Sequence, residues 1–282
     1  MKLTILIHCP DQSGIIHSTT GFIANIGGNV VYLDQHVDKQ AGVFFMRLEC
    51  EFLKTLNLLD VKNDFEQKVA SRYQMQWNVF TDTEKPKMGL FVSKYNHCLY
   101  DLLSRYQSGE LMVDIPFILS NHQDLEYIGK QFNIPYYHVP VTKETKEDAE
   151  NKQLSFLQKH EVDFIVLARY MQIVSPKIID KFPNRIINIH HSFLPAFAGA
   201  KPYHAAFERG VKIIGATSHY VTEELDAGPI IEQDVVAVSH THSIKDFVAK
   251  GRDLEKIVLA RAVKLHLSRK TMVYNNKTVI FS

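Results

Sequence analysis

The sequence predicts an α/β protein built in two parts: a small module with the order βαββαβ, and a larger, mostly parallel twisted sheet with helices on both faces. Three observations carry that expectation. Strand and helix patterns follow the order βαββαβ up to Phe80, the polar segment TDTEKPKM breaks the pattern at Thr81–Met88, and apolar runs then alternate regularly with helical patterns. Residues 1–81 are read as the first domain, 82–87 as the linker and 88–282 as the second domain.

In the first part, Lys2 to His8 alternates Leu and Ile with smaller or polar residues and reads as a strand. CPDQSG turns the chain into the helical pattern SGIIHSTTGFIANIG, with Ser13 as the expected N-cap and Gly27–Gly28 as the stop. NVVYLDQHVD and GVFFMRLECEF read as strands around DKQAG, followed by a helix near Leu56–Ala70 and a strand near Tyr73–Phe80. This order is the ferredoxin-like one.

In the second part, strands are expected at Met88–Ser93, Val113–Ser120, Tyr136–Val141, Asp163–Ala168 and Ile186–His190. Helices such as HCLYDLLSRYQ and KEDAENKQLSFLQKH lie between them, and PIIEQDVVAV reads as a further strand. Sheets of this kind bind ligands beyond the carboxyl ends of their strands.

Composition narrows the function. The 282 residues are 45% hydrophobic and 22% charged, with a net charge of +1. Up to Phe80 there are 7 basic and 8 acidic residues, leaving 25 and 23 beyond it, so neither part has the basic bias of a nucleic-acid binder. Cys9, Cys50 and Cys98 are far apart and odd in number, which suggests neither disulfides nor a zinc site. The N-terminal apolar run is too short for a signal peptide and no window is long enough to span a membrane; a cytoplasmic protein is expected.

The stretch RIINIHHSFLPAF is chemically distinctive. Residues two apart in a strand share a face, so Asn188 and His190 are expected to project together and His191 away. An amide can donate to a developing oxyanion and an imidazole can carry a proton, a pairing suited to acyl transfer. Asp226, in the loop before Ala227–Gly228–Pro229, could orient that imidazole or manage the protons of a water. A polar strand end with an ordinary turn aspartate would use the same residues. His97–Cys98 suggests a thiol nucleophile, but adjacent helical residues do not face each other. His240 and His242 in SHTHS have no third metal ligand at usual spacing.

NIHHSFLPAFAG together with HYVTEELDAGPIIEQ resembles the signature of the formyltetrahydrofolate-dependent formyl transferases and hydrolases. The resemblance implies that Asn188 holds the formyl oxygen, His190 moves the proton and stabilises the oxyanion, and Asp226 organises water and proton movement. It implies that Arg169, Tyr170 and Met171, in LARYMQIV, line a pterin pocket whose other wall is Val221, Thr222, Glu223 and Leu225. The first domain resembles an ACT regulatory domain, which implies an amino-acid site, for glycine or methionine, at Asp11, Gln12, Ser13, Gly14 and Asn29. It also implies assembly into a dimer or tetramer.

The transferases that act on glycinamide ribonucleotide carry a Gly-rich phosphate loop after the first strand of this domain. Here that place reads SKYNHCLYDLL, without glycine, and His191 stands where those enzymes usually have Pro. Water is therefore the expected acceptor, and hydrolysis of the formamide C–N bond of 10-formyltetrahydrofolate the expected reaction, without metal or cofactor. The alternatives are transfer to a small amine such as glycinamide ribonucleotide, and an inactive amino-acid sensor.

Overall fold

The computed structural model describes residues 1–83, 85–196 and 202–282. The chain forms two compact units, Met1–Lys85 with Ile280–Ser282, and Pro86–Val279. The last three residues, assigned by sequence to the second part, lie in the first unit: Ser282 donates from its backbone N–H to Asp34 Oδ2 at 3.0 Å.

The first unit contains β1 (Lys2–Pro10), α1 (Ile15–Asn25), β2 (Gly28–Asp38) and β3 (Val43–Phe52). A helical run follows, made of α2 (Leu58–Phe65), a π-turn (Glu66–Ala70) and α3 (Ser71–Tyr73), and then β4 (Gln76–Thr81). The strands pair antiparallel in the order β2-β3-β1-β4, the ferredoxin-like topology. Alternation explains the fold: Leu3, Ile5, Ile7 and Cys9 on β1 and Phe44, Met46, Leu48 and Cys50 on β3 form one buried face, on which Phe22, Ile23 and Phe65 pack. Gly28 permits the close approach of α1 to the sheet, because a Cβ there would lie 2.7 Å from Ile23 of α1 and 2.5 Å from the Phe52 ring of β3. The expectation for Ser13 is corrected: Gly14 is the N-cap, at φ +92°, with no side-chain cap.

The second unit contains β5 (Lys87–Val92), α4 (His97–Gln107), β6 (Asp114–Ser120), α5 (Glu126–Gln131), β7 (Tyr136–His138), α6 (Lys146–Lys159), β8 (Phe164–Leu167), α7 (Pro176–Ile179) and β9 (Ile186–His190). These are followed by α8 (Pro202–Arg209), β10 (Ile213–Tyr220), β11 (Ile230–Ala237), α9 (Ile244–Leu267), β12 (Thr271–Tyr274) and β13 (Lys277–Ile280). Seven strands form one sheet in the order β11-β10-β9-β8-β5-β6-β7. Those from β5 to β9 are parallel and β10 and β11 run in an antiparallel ladder beside them.

Strand β5 shows why helices cover both faces: Leu90 and Val92 pack with α4 and α9, and Phe91, one residue away, packs with α6 and α7. The chain runs from β5 outwards to β6 on one side and later to β8 on the other, which makes the ends of β5, β8 and β9 the switch point where a ligand crevice is expected. Helix α9 begins with a capping box, Ser243 and Asp246 each accepting the other's backbone N–H. No helix among the described residues is long and apolar enough to cross a membrane.

Candidate active site

At the end of β9, Ile187 and Ile189 point into the core beneath α9, which leaves Asn188 and His190 on the opposite face, in one row with Ile186. Strand β10 pairs antiparallel with β9 and sets His219 opposite Asn188 and Thr217 opposite His190. His219 thus joins the row through sheet register.

The register fixes the hydrogen bonding. His219 Nδ1 lies 2.9 Å from the Tyr220 carbonyl, which can only accept, so Nδ1 carries the proton. In the neutral ring Nε2 is then an acceptor, and it takes one N–H of Asn188 Nδ2 at 3.2 Å. The Asn188 amide is thereby oriented and keeps its second N–H for a ligand. His190 Nδ1 lies 3.2 Å from Asp226 Oδ2, while the buried His190 Nε2 has no hydrogen-bond partner among the described residues. Asp226 Oδ1 is also 3.6 Å from His219 Nε2, too far for a hydrogen bond. The hydrogen bond from His190, the largest influence on it, holds the Asp226 carboxyl well below the usual carboxylate range, against its partial burial, so it is ionised.

The loop that delivers Asp226 is under constraint. Asp226 itself has φ +56°, a left-handed conformation uncommon for a residue with a side chain. Tyr220 donates its N–H to the Pro229 carbonyl at 2.9 Å, and a Cβ on Gly228 would meet the Tyr220 oxygen at 1.9 Å. Glycine is therefore required where the loop crosses the end of β10.

One cavity of about 510 Å³ collects all of these groups. Arg169, Tyr170 and Met171 line one side, Val221, Thr222, Glu223 and Leu225 the other, with Asn188, His190 and Asp226 between them. The size suits a small organic ligand. Met171, Ile173 and Leu225 are exposed apolar groups at its edge. Tyr170 contributes from the core instead: it packs edge-on against Phe91, its hydroxyl accepts from Gln153 Nε2 at 3.0 Å, and burial pushes it up to about 12. His191, expected to point away, also borders the cavity because β9 ends at His190, and the two rings lie 5.3 Å apart.

Other candidates behave differently. Asp11, Gln12, Ser13 and Gly14 follow the end of β1, whereas Asn29 pairs with Glu51, which pairs with Lys2 at the start of β1. Asn29 therefore lies at the opposite end of this sheet, and the chain does not bring the five residues together. Cys98 is fully buried, and burial together with the nearby Glu255 raises its thiol far above the ordinary value, which leaves no thiolate. Among the described residues, His97, Cys98 and Glu255 gather potential metal donors, but both Glu255 oxygens already accept from His97 and Tyr203. His242 Nδ1 accepts from the Ser239 N–H at 2.9 Å in a turn, away from any strand face. The end of RIINIHHSFLPAF, at Phe197, lies outside the described residues.

An amide with an N–H to spare, an imidazole with an open nitrogen and an ionised carboxylate behind it thus meet on one cavity of an α/β fold, a set suited to acyl transfer. A family profile described as formyl transferase matches residues 87–263. A relative from Synechocystis named formyltetrahydrofolate deformylase is 49% identical, covering 100% of this chain and 99% of that protein. The crystal structure of a formyltetrahydrofolate deformylase from Pseudomonas syringae pv. tomato superposes with a TM-score of 0.97 at 46% identity, covering 100% of this chain and 95% of the other. A glycinamide ribonucleotide transformylase from Symbiobacterium toebii gives a TM-score of 0.67 at 27% identity over 73% of this chain and 98% of its own. The chain belongs to the formyl transferase family, and within it to the group of the formyltetrahydrofolate deformylases that it matches end to end.

Proposed function

We propose that this protein hydrolyses 10-formyltetrahydrofolate to formate and tetrahydrofolate. The observation that carries the reading is the convergence of Asn188, His190 and Asp226 on one cavity, in a chain matched end to end by deformylases. The pterin lies between the 169–171 and 221–225 walls, with the formyl group towards Asn188 and His190. His190 Nε2, its ring oriented by Asp226 at Nδ1, takes a proton as water attacks the formyl carbon. The free Asn188 N–H receives the oxyanion. The imidazolium, stabilised by the Asp226 carboxylate, returns its proton to N10 as the C–N bond breaks, which releases tetrahydrofolate and formic acid, and the acid then loses its remaining proton to solvent to leave formate.

The reaction as written requires no metal or cofactor. Regulation belongs to the same proposal: the first unit acts as an ACT-type sensor of glycine or methionine, supported by its ferredoxin-like topology, in a cytoplasmic dimer or tetramer that balances formate for purine synthesis. Within one chain only Asp11, Gln12, Ser13 and Gly14 share the end of β1, so they, without Asn29, form the effector contacts of a single copy. The hydrolysis is tested by following formate and tetrahydrofolate together without an acceptor, and the sensor by calorimetry with each amino acid, where absence of binding heat removes it.

A further inference from the structure

Behind the cavity, where β5 ends, lies a charged cluster that the proposed chemistry does not use. Glu255 on α9 is 1% exposed. Its Oε1 accepts from the Tyr203 hydroxyl at 2.7 Å, and its Oε2 lies 2.8 Å from His97 Nε2 and 3.3 Å from Arg169 Nε. Burial pushes this carboxyl up, but His97, Arg169 and Tyr203 outweigh it, so Glu255 stays charged. A buried carboxylate held by three different elements is costly to build and is stable only with its full set of partners.

Arg169 is the partner that reaches the substrate side. It follows the end of β8, lines the cavity and has φ +63°, so its backbone conformation is held from outside. Its N–H donates to the Leu167 carbonyl at 3.0 Å and its carbonyl accepts from the Ser93 N–H at 3.2 Å. The guanidinium stacks 5.2 Å from the centre of the Tyr95 ring. Among the described residues Nε makes no aligned hydrogen bond, so its attraction to Glu255 is one of charge. The opposite side of the cluster is equally fixed: a Cβ on Gly251 would meet the Tyr203 ring at 2.1 Å, so Tyr203 lies directly across α9.

We propose that Glu255 is a positioning residue for folate recognition, holding the Arg169 guanidinium, with His97, Tyr95 and Tyr203, at the wall of the cavity. The reading rests on the folate site proposed above. Without Glu255 the buried Arg169 guanidinium would lose its anionic partner, and the stretch of cavity wall that Arg169 forms would lose its support. Glu255 prevents that without touching the ligand.

The test is a double-mutant cycle on the full-length protein, read both as tetrahydrofolate affinity by calorimetry and as KM and kcat for formate release. Glu255→Gln keeps the shape and removes the charge, and is expected to weaken tetrahydrofolate binding about tenfold, with KM rising and kcat changing less, on the scale of coupled charge pairs. Arg169→Met should weaken it similarly, and Glu255→Gln added to Arg169→Met should cost less than about twofold more, because the two act as one unit. Tyr203→Phe, which removes only the hydroxyl on Oε1, should give a smaller loss that also vanishes beside Arg169→Met, and serves if Glu255→Gln does not fold. Additive losses across the cycle, or unchanged affinity in Glu255→Gln or Tyr203→Phe, overturn the proposal. Wild-type protein that binds tetrahydrofolate but releases no formate would defeat the hydrolase reading and leave this cycle measurable.

Discussion

Asn188 and His219 show how one hydrogen bond prepares a site. The Tyr220 carbonyl sets the His219 tautomer, His219 sets the Asn188 amide, and the amide is left with one N–H for a ligand, which in the proposed reaction is the oxyanion. Asn188→Ala should therefore lose about 3 kcal/mol of transition-state stabilisation, roughly a hundredfold in kcat, as removal of one oxyanion donor does. Stopped assays at saturating folate measure it, and unchanged kcat removes Asn188 from the chemistry. Cys98→Ser should retain activity, since the thiol is buried and protonated; loss of turnover in a folded Cys98→Ser protein would bring back the thiol mechanism. That Asn188, His190 and Asp226 line one cavity accords with the resemblance carried by NIHHSFLPAFAG and HYVTEELDAGPIIEQ, whereas their spacing alone fits an ordinary polar strand end equally well. His219 was not legible in sequence, because nothing in HYVTEELD marks a histidine as facing Asn188 until β10 is paired with β9.

At the scale of elements, β10 explains what the sequence reading missed. IIGATSHY lacks clean alternation and is buried on both faces, so periodicity alone does not show it as a strand even though Gly210 marks a turn before it. The parallel strands were easier, because each is an apolar run followed by an amphipathic helix. Ser13 was a reasonable cap by residue type, but Gly14 takes the left-handed cap conformation and shifts the helix start. Asp11 and Asn29 lie at opposite ends of this sheet within one copy because β1 and β2, joined through α1, run in the same direction, so β2 begins at the end where β1 begins.

Two predictions belong to this scale. Gly228→Ala should impair both activity and folding, because its Cβ would strike the backbone oxygen of Tyr220; a wild-type-like Tm and rate would show that the loop can move aside. His266, on α9, is buried with Nδ1 2.8 Å from the Tyr220 hydroxyl, and burial with the charges of Arg269 and Arg185 lowers it to about 3. Its folded value is depressed, so the neutral ring stabilises the fold fully above the unfolded value of about 6.5 and progressively less as pH falls towards 3. Unfolding free energy should therefore drop between pH 7 and pH 4, less steeply in His266→Gln; equal slopes in urea titrations would exclude His266 as a cause.

At the scale of the whole molecule, the chain packs as two compact units. The second unit holds every group of the proposed chemistry in one cavity. The likeness to a transformylase covers 73% of the chain, while the likeness to a deformylase covers all of it. What distinguishes the two readings chemically is the acceptor, and SKYNHCLYDLL lacks the glycines of a phosphate cradle. The most direct measurement is to incubate the purified protein with 10-formyltetrahydrofolate and no acceptor, and to follow formate and tetrahydrofolate together. Release of the two in equal amounts is the predicted result; no formate until an amine acceptor is added, with the formyl group then found on the amine, would contradict it.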